Sequence, residues 1–300
     1  MEEVTGRITV APLPVPVRIA RGARRLRRLP LIPMFILAMF VFTGITAPWI
    51  APHNPERGDL RARNAPPFWL EGGSSEYLLG TDHLGRDMLS RVIFGARISL
   101  VVVVVALGVG GVIGVSAGLV AGWYGGWVDE AIMRVVDIKL AIPTILLALV
   151  LVLALGQTFL IILAILAIAI WPRFARNVRG EVLQLKTMDY VSLAKVAGAS
   201  TPRILTKHIF PGVVNTLIIL ATLEVGIVIL LEATLSFLGA GVPPPTPAWG
   251  SMVADGRGRL AEAWWISTMP GLSIMLVVLS MNLFGDWLRD KLDPRLRQLE

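Results

Sequence analysis

Long apolar runs, separated by polar and Pro/Gly-rich segments, set the organisation of this chain. The first run covers Leu31 to Ile50 and the second about Ile98 to Gly122. Two more, at about 138–155 and 157–175, are split at Gly156 and Gln157, and a fifth and sixth lie at about 209–231 and 268–287. Each is close to the roughly 20 residues that a helix needs to cross the hydrocarbon core of a bilayer. The pattern predicts an all-α integral membrane protein with six transmembrane helices. A short turn with Asp129, Glu130, Arg134 and Asp137 is expected between the second and third runs.

Composition agrees with that reading. Of 300 residues 55% are apolar and 16% charged, and mean hydropathy is +0.70. A soluble domain carries nearer a quarter charged residues. The formal charge is +7, and its location decides its meaning. Arg18, Arg21, Arg24, Arg25, Arg27 and Arg28 precede the first run; Arg173, Arg176, Arg179, Lys186, Lys195, Arg203 and Lys207 follow the fourth; Arg289, Lys291, Arg295 and Arg297 follow the sixth. With six crossings all three clusters fall on one side, which the positive-inside rule makes the cytoplasm. Both termini are then cytoplasmic, and the charge needs no nucleic-acid partner. A cleavable signal peptide would have a shorter apolar region followed by a small-x-small site, so an uncleaved first helix is expected.

The domain division follows. Residues 1–30 form a basic cytoplasmic tail, 31–50 the first transmembrane helix, and 51–96 an extracytoplasmic segment. Residues 97–290 form the transmembrane core, with a cytoplasmic loop at about 176–207, and 291–300 a second cytoplasmic tail. Cysteine is absent, and His53, His83 and His208 are far apart, so no metal site is expected. Gly110, Gly114, Gly118 and Gly122 recur every fourth residue, a smooth stripe on which another helix can approach closely. The same run lacks the Lys-Ser/Thr of a phosphate-binding loop.

The polar segment after the fourth run is patterned. Tyr190, Leu193, Ala194 and Ala197 fall on one face of a short helix. Gly198 is placed to end it, with Thr201 as the next N-cap and Pro202 at the first helical position. A helix, glycine turn, helix at the membrane surface is predicted. Its small residues Ala194, Gly198 and Ala199 admit a close partner; a surface helix packed on its own bundle is the plainer alternative.

The stretch Tyr190-Val-Ser-Leu-Ala-Lys-Val-Ala-Gly198, continued to His208-Ile-Phe-Pro211, resembles the EAA loop of ABC importer membrane subunits. Gly198 and Pro211 have the family's separation. Ser192 stands where the family has Glu, Leu193 replaces the first Ala, and His208 and Phe210 replace Ile and Leu. Three further stretches resemble the second membrane subunit of dipeptide, oligopeptide and nickel importers. They are Gly80-Thr-Asp-His-Leu-Gly-Arg-Asp87 with Ser90-Arg91 and Gly95-Ala-Arg-Ile-Ser-Leu100, then Leu235 to Gly250, then Gly285 to Arg295. The resemblance implies a type I ABC importer fold in a bacterial inner membrane. It also implies a homologous second permease subunit, two ATPase subunits that bind ATP and Mg, and an extracytoplasmic binding protein. This chain would then carry no cofactor and no catalytic residue.

On that basis Tyr190, Ser192, Ala194, Lys195, Gly198, Ala199 and Arg203 are the candidate ATPase dock. Ionisable residues at membrane depth are functional suspects: Glu224 is mid-run and Glu232 near the outer end, candidates for a peptide pathway or gate, with a structural pairing to a neighbouring Arg as the alternative. Asp82, Arg86 and Asp87 are expected to form an ion-pair network at an outer elbow. Trp69, Trp249, Trp264 and Trp265 are placed to contact a binding protein or seal the pore mouth. An ion-coupled secondary transporter would need coupling carboxylates, often in an inverted repeat, and no such repeat is seen. An intramembrane enzyme would need paired catalytic groups at membrane depth, and none occurs. Peptide, nickel chelate or another small solute all remain open as cargo.

Overall fold

The computed structural model describes residues 29–292. The basic cluster at 18–28 and Arg295 and Arg297 lie outside the described residues. Among those described, the elements are α1 (Leu31–Ile50), α2 (Met88–Tyr124), α3 (Gly126–Ala141), α4 (Thr144–Leu155), α5 (Phe159–Leu185), α6 (Asp189–Val196), α7 (Thr201–Ile204), a π-helical turn (Leu205–Ile209), α8 (Phe210–Phe237), α9 (Trp249–Gly256) and α10 (Trp265–Leu292). Five stretches are long and apolar enough to cross a bilayer: α1, α2, α5, the continuous α7–α8 stretch and α10. The sixth candidate is α3 and α4 together, bent by 88° between them.

The centre of the bundle is the packing of α2 on α5, and the glycine stripe is its cause. A Cβ at Gly110 would lie 2.6 Å from the carbonyl oxygen of Ala167, and one at Gly118 2.6 Å from that of Ala175. One at Gly122 would lie 2.7 Å from the Cβ of Val182. Real Cβ atoms do not approach so closely, so only glycine lets the two backbones meet here. Ala106, Ile162, Leu166 and Ile170 fill the core beside this contact, and Val228 and Leu235 of α8 join the same cluster. By contrast α1 leaves Ile32, Phe35 and Phe42 more than half exposed, as a helix facing lipid does.

Three expectations are corrected. The charged stretch 126–137 is not a turn but most of α3. Two of its acids pair with arginines of α5: Asp129 accepts from Arg179 Nε and Nη2 at 2.8 and 2.6 Å, and Asp137 accepts from Arg176. The apolar run 138–155 is not one straight span. Proline disfavours helical backbone in the residue before it, and Pro143 follows the break, with Ile142 extended. The second helix begins at Met88 rather than near residue 98, because the Asp87 side chain accepts the backbone N–H of Ser90 and caps it.

Candidate functional site

The loop between α5 and α8 folds as helix, glycine turn, helix. Gly198 has φ +76°, a left-handed conformation that favours glycine. Its N–H donates to Lys195 O and that of Ala199 to Ala194 O, both at 3.0 Å. These two bonds are the paired closure of a Schellman motif, which satisfies carbonyls at the end of α6. The next N-cap is Ser200 rather than Thr201; Thr201 is the first residue of α7 and Pro202 the second. The loop is fixed to the bundle by Val191, Ile204, Ile209 and Val213, which pack with Val178 and Val182 of α5.

The buried face of α6 differs from the one its spacing suggests. Val191 is fully buried and Ala194 and Ala199 are partly buried, whereas Tyr190, Ser192, Leu193, Lys195, Ala197, Gly198 and Arg203 are exposed. Leu193 is 68% and Val196 87% exposed. Apolar spacing selects a face but does not say whether this chain or another protein covers it. Tyr190, Leu193, Val196 and Met188 leave an exposed apolar surface on this loop, the kind of surface that marks a protein contact. Lys195 also looks inward: its ammonium lies 4.8 Å from the centre of the Trp123 ring of α2.

The second group sits inside the bundle. Glu224 of α8 is 2% exposed, and its Oε1 accepts from Arg173 Nη1 of α5 at 3.1 Å. Its Oε2 is buried and has no hydrogen-bond partner among the described residues. Nearby, Lys139 is buried beside the α3–α4 break, where its Nζ donates to Ala169 O at 2.8 Å and to Thr144 Oγ1 at 3.2 Å. Lys139 was not singled out from the sequence. It opens an apolar run, and a lysine in that place is the available signal. Glu232 is fully buried nearer the end of α8; Ser236 donates to it at 2.7 Å, and the same hydroxyl accepts the N–H of Val242. Glu232 therefore ties the helix end to the loop that follows.

At the elbow, Asp82 and Arg86 form a buried pair at 2.6 Å, and Arg91 Nε approaches Asp82 at 3.6 Å. Arg86 also reaches Asp255 at 3.7 Å. Asp87 does not join this network: it caps α2, accepts from the Ser90 hydroxyl at 2.6 Å and faces His53 Nδ1 at 3.5 Å. Arg91 and Asp255 are the members that the sequence reading missed. Two of the tryptophans expected at the pore mouth are instead buried struts. Trp249 donates to Val92 O and Trp265 to Thr81 O, each at 3.0 Å.

Broken and continuous spans around a glycine-packed helix pair, with a structured polar loop between two of them, define a multi-pass membrane protein. Residues 114–298 match the family described as binding-protein-dependent transport system inner membrane component, and residues 22–67 match the N-terminal TM domain of oligopeptide transport permease C. The chain belongs to the binding-protein-dependent transport system inner membrane component family and has its type I ABC importer fold. It is 42% identical over 264 residues to the di/tripeptide transport system permease protein DppC of Pseudomonas aeruginosa, covering 88% of this chain and 87% of the relative. It is 42% identical over 268 residues to the dipeptide transport system permease protein DppC of Haemophilus influenzae (89% and 91% covered), and 43% over 262 residues to that of Escherichia coli K12 (87% of each).

Proposed function

We propose that this chain is one of two permease subunits of a peptide importer in a bacterial inner membrane, and that its α6 loop is the dock for an ATPase. The peptide cargo rests on the names of the relatives, which are di/tripeptide and dipeptide permeases. The docking role rests on the exposed apolar surface of α6, set on a rigid glycine turn. Two partner ATPases bind and hydrolyse ATP with Mg, a homologous permease completes the pathway, and an extracytoplasmic protein delivers the peptide. Both termini lie in the cytoplasm, on the side of the dock.

In this reading the loop works as a lever. ATP draws the ATPase pair together and α6 moves with it. Val191, Ile204 and Val213 pass the displacement to α5 and α8, and Lys195 passes it to α2 through Trp123. Ser192 stands where the family carries Glu, so shape and backbone contacts hold the dock without that charge.

The test is uptake of a labelled dipeptide by proteoliposomes holding this chain, its partner permease and both ATPases, with the binding protein outside. ATP-dependent accumulation that disappears when this chain is omitted is the expected result. Accumulation driven by an ion gradient without ATP would overturn the proposal.

A further inference from the structure

The charged cluster inside the bundle borders a cavity of about 300 Å³ lined by Thr144, Ile145, Ile170, Arg173, Glu224 and Ile227, among others. Its position is informative. At 1.5 Å per residue, both Arg173 and Glu224 stand about 20 Å from one end of their helices, counted from Phe159 and Phe237. A hydrocarbon core is about 30 Å thick, so the cluster sits at membrane depth, where ionisable groups are costly to place, and Arg173, which the sequence groups with the cytoplasmic charges, belongs to the span.

The cluster is built but incomplete. Glu224 Oε1 is held by Arg173, while Oε2 is buried without a donor. A carboxylate only accepts, so the missing partner is an N–H or O–H. Lys139 is engaged with Ala169 O and Thr144. Arg173 is 46% exposed along its side chain and lines the cavity. Lys139 and Arg173 against Glu224 leave a net single positive charge, so a lone cation is not the natural occupant. A ligand with one positive and one negative end suits both halves: its ammonium donates to Oε2, and its carboxylate or carbonyl accepts from Arg173. Such charge-assisted bonds are strengthened in an apolar surrounding. The volume is at the lower end of small-molecule sites, which favours a short molecule.

We propose that this cavity is a subsite where a short zwitterionic peptide pauses during passage, with Glu224 Oε2 receiving its amino terminus and Arg173 its carboxyl end. The subsite rests on the peptide-importer reading and specifies residues for it.

The test uses the full transporter in proteoliposomes with its binding protein and ATP. Benzoylphenylalanine replaces Ile227, and a tritiated dipeptide that the binding protein binds is illuminated during turnover. The peptide is expected to label this chain, and Glu224→Gln in the same background is expected to cut the labelling about tenfold, the loss of one charge-assisted bond, with ATPase subunits still co-purifying. Labelling unchanged by Glu224→Gln overturns the assignment. So does ATP-dependent uptake without labelling at Ile227, or a crosslink that joins Ile227 to the second permease in place of peptide, which would make the cavity a subunit contact. Failure of the wild-type complex to take up the dipeptide at all is a different result: it overturns the importer reading and the subsite with it.

Discussion

The ammonium of Lys195 lies 4.8 Å from the centre of the Trp123 ring, linking the surface helix α6 to the end of α2. It adds to the apolar packing of Val191 on α5, α7 and the π-helical turn, in a cluster that Val115 and Leu119 of α2 also border. A cation over an indole contributes about 0.5–2 kcal/mol according to its exposure. Lys195→Met keeps the length of the side chain and removes the charge. It is expected to lower the number of peptides moved per ATP hydrolysed several-fold. An unchanged ratio of uptake to hydrolysis would mean that the contact transmits nothing.

The stripe on α2 predicts a contrast within one helix. Gly118→Leu forces a side chain onto the Ala175 carbonyl and should destabilise the bundle by about 1–3 kcal/mol or more, the usual cost of overpacking. Gly108 has nothing within 4 Å of a built Cβ, so Gly108→Ala should be neutral or slightly stabilising. Melting of the purified protein in detergent measures both, and equal effects would contradict the packing described.

The buried pair at the elbow predicts a large loss. Asp82 and Arg86 are 2% and 7% exposed along their side chains. Removing one partner strands a buried charge, which costs about 3–5 kcal/mol. Arg86→Ala is expected near the lower figure, since Arg91 remains 3.6 Å from Asp82. The same thermal measurement reads it, and a loss under about 1 kcal/mol, the scale of an exposed pair, would contradict the burial.

Acid should act on the same elbow through His83. Burial lowers its pKa, opposed in part by the Asp82 and Asp255 carboxylates. The folded state therefore takes up a proton less readily than the unfolded chain as pH falls through the ordinary histidine value of about 6.5. The contribution of neutral His83 is intact above that value and is lost progressively below it. Melting of wild type and His83→Gln between pH 8 and 5 should show a shallower acid loss in the variant. Parallel curves would contradict the assignment.

What the sequence made legible was what is local. The apolar runs locate the spans, and the four-residue glycine period describes the α2–α5 contact without any partner in view. Gly198 was recognisable as a helix stop because the turn is set by the glycine itself. The missed features depend on distance along the chain. The α3 charges read as a turn because the arginines that neutralise Asp137 and Asp129 lie on α5, 39 and 50 positions along the chain, whereas the pairing of Glu224 with Arg173 is the alternative the sequence offers for that residue. The break at Pro143 is hidden from hydropathy, which stays high through it. The apolar residues of α6 divide between this chain's core and an exposed surface, a division that spacing alone does not reveal.

The docking role of α6 can be measured through its most exposed apolar residues. Val196→Asp and Leu193→Asp place a charge on that surface without touching Val191, and Gly198→Trp puts a bulky residue at a left-handed position with open space around it. The experiment is affinity purification of the tagged chain with its partner permease, reading the amount of ATPase retained. The account predicts that Val196→Asp and Leu193→Asp each reduce it about tenfold or more, equivalent to about 1.4 kcal/mol, that Gly198→Trp uncouples or releases the ATPases, and that the two permeases stay paired. ATPase retained at the wild-type level by all three variants, with peptide-stimulated hydrolysis intact, would contradict it.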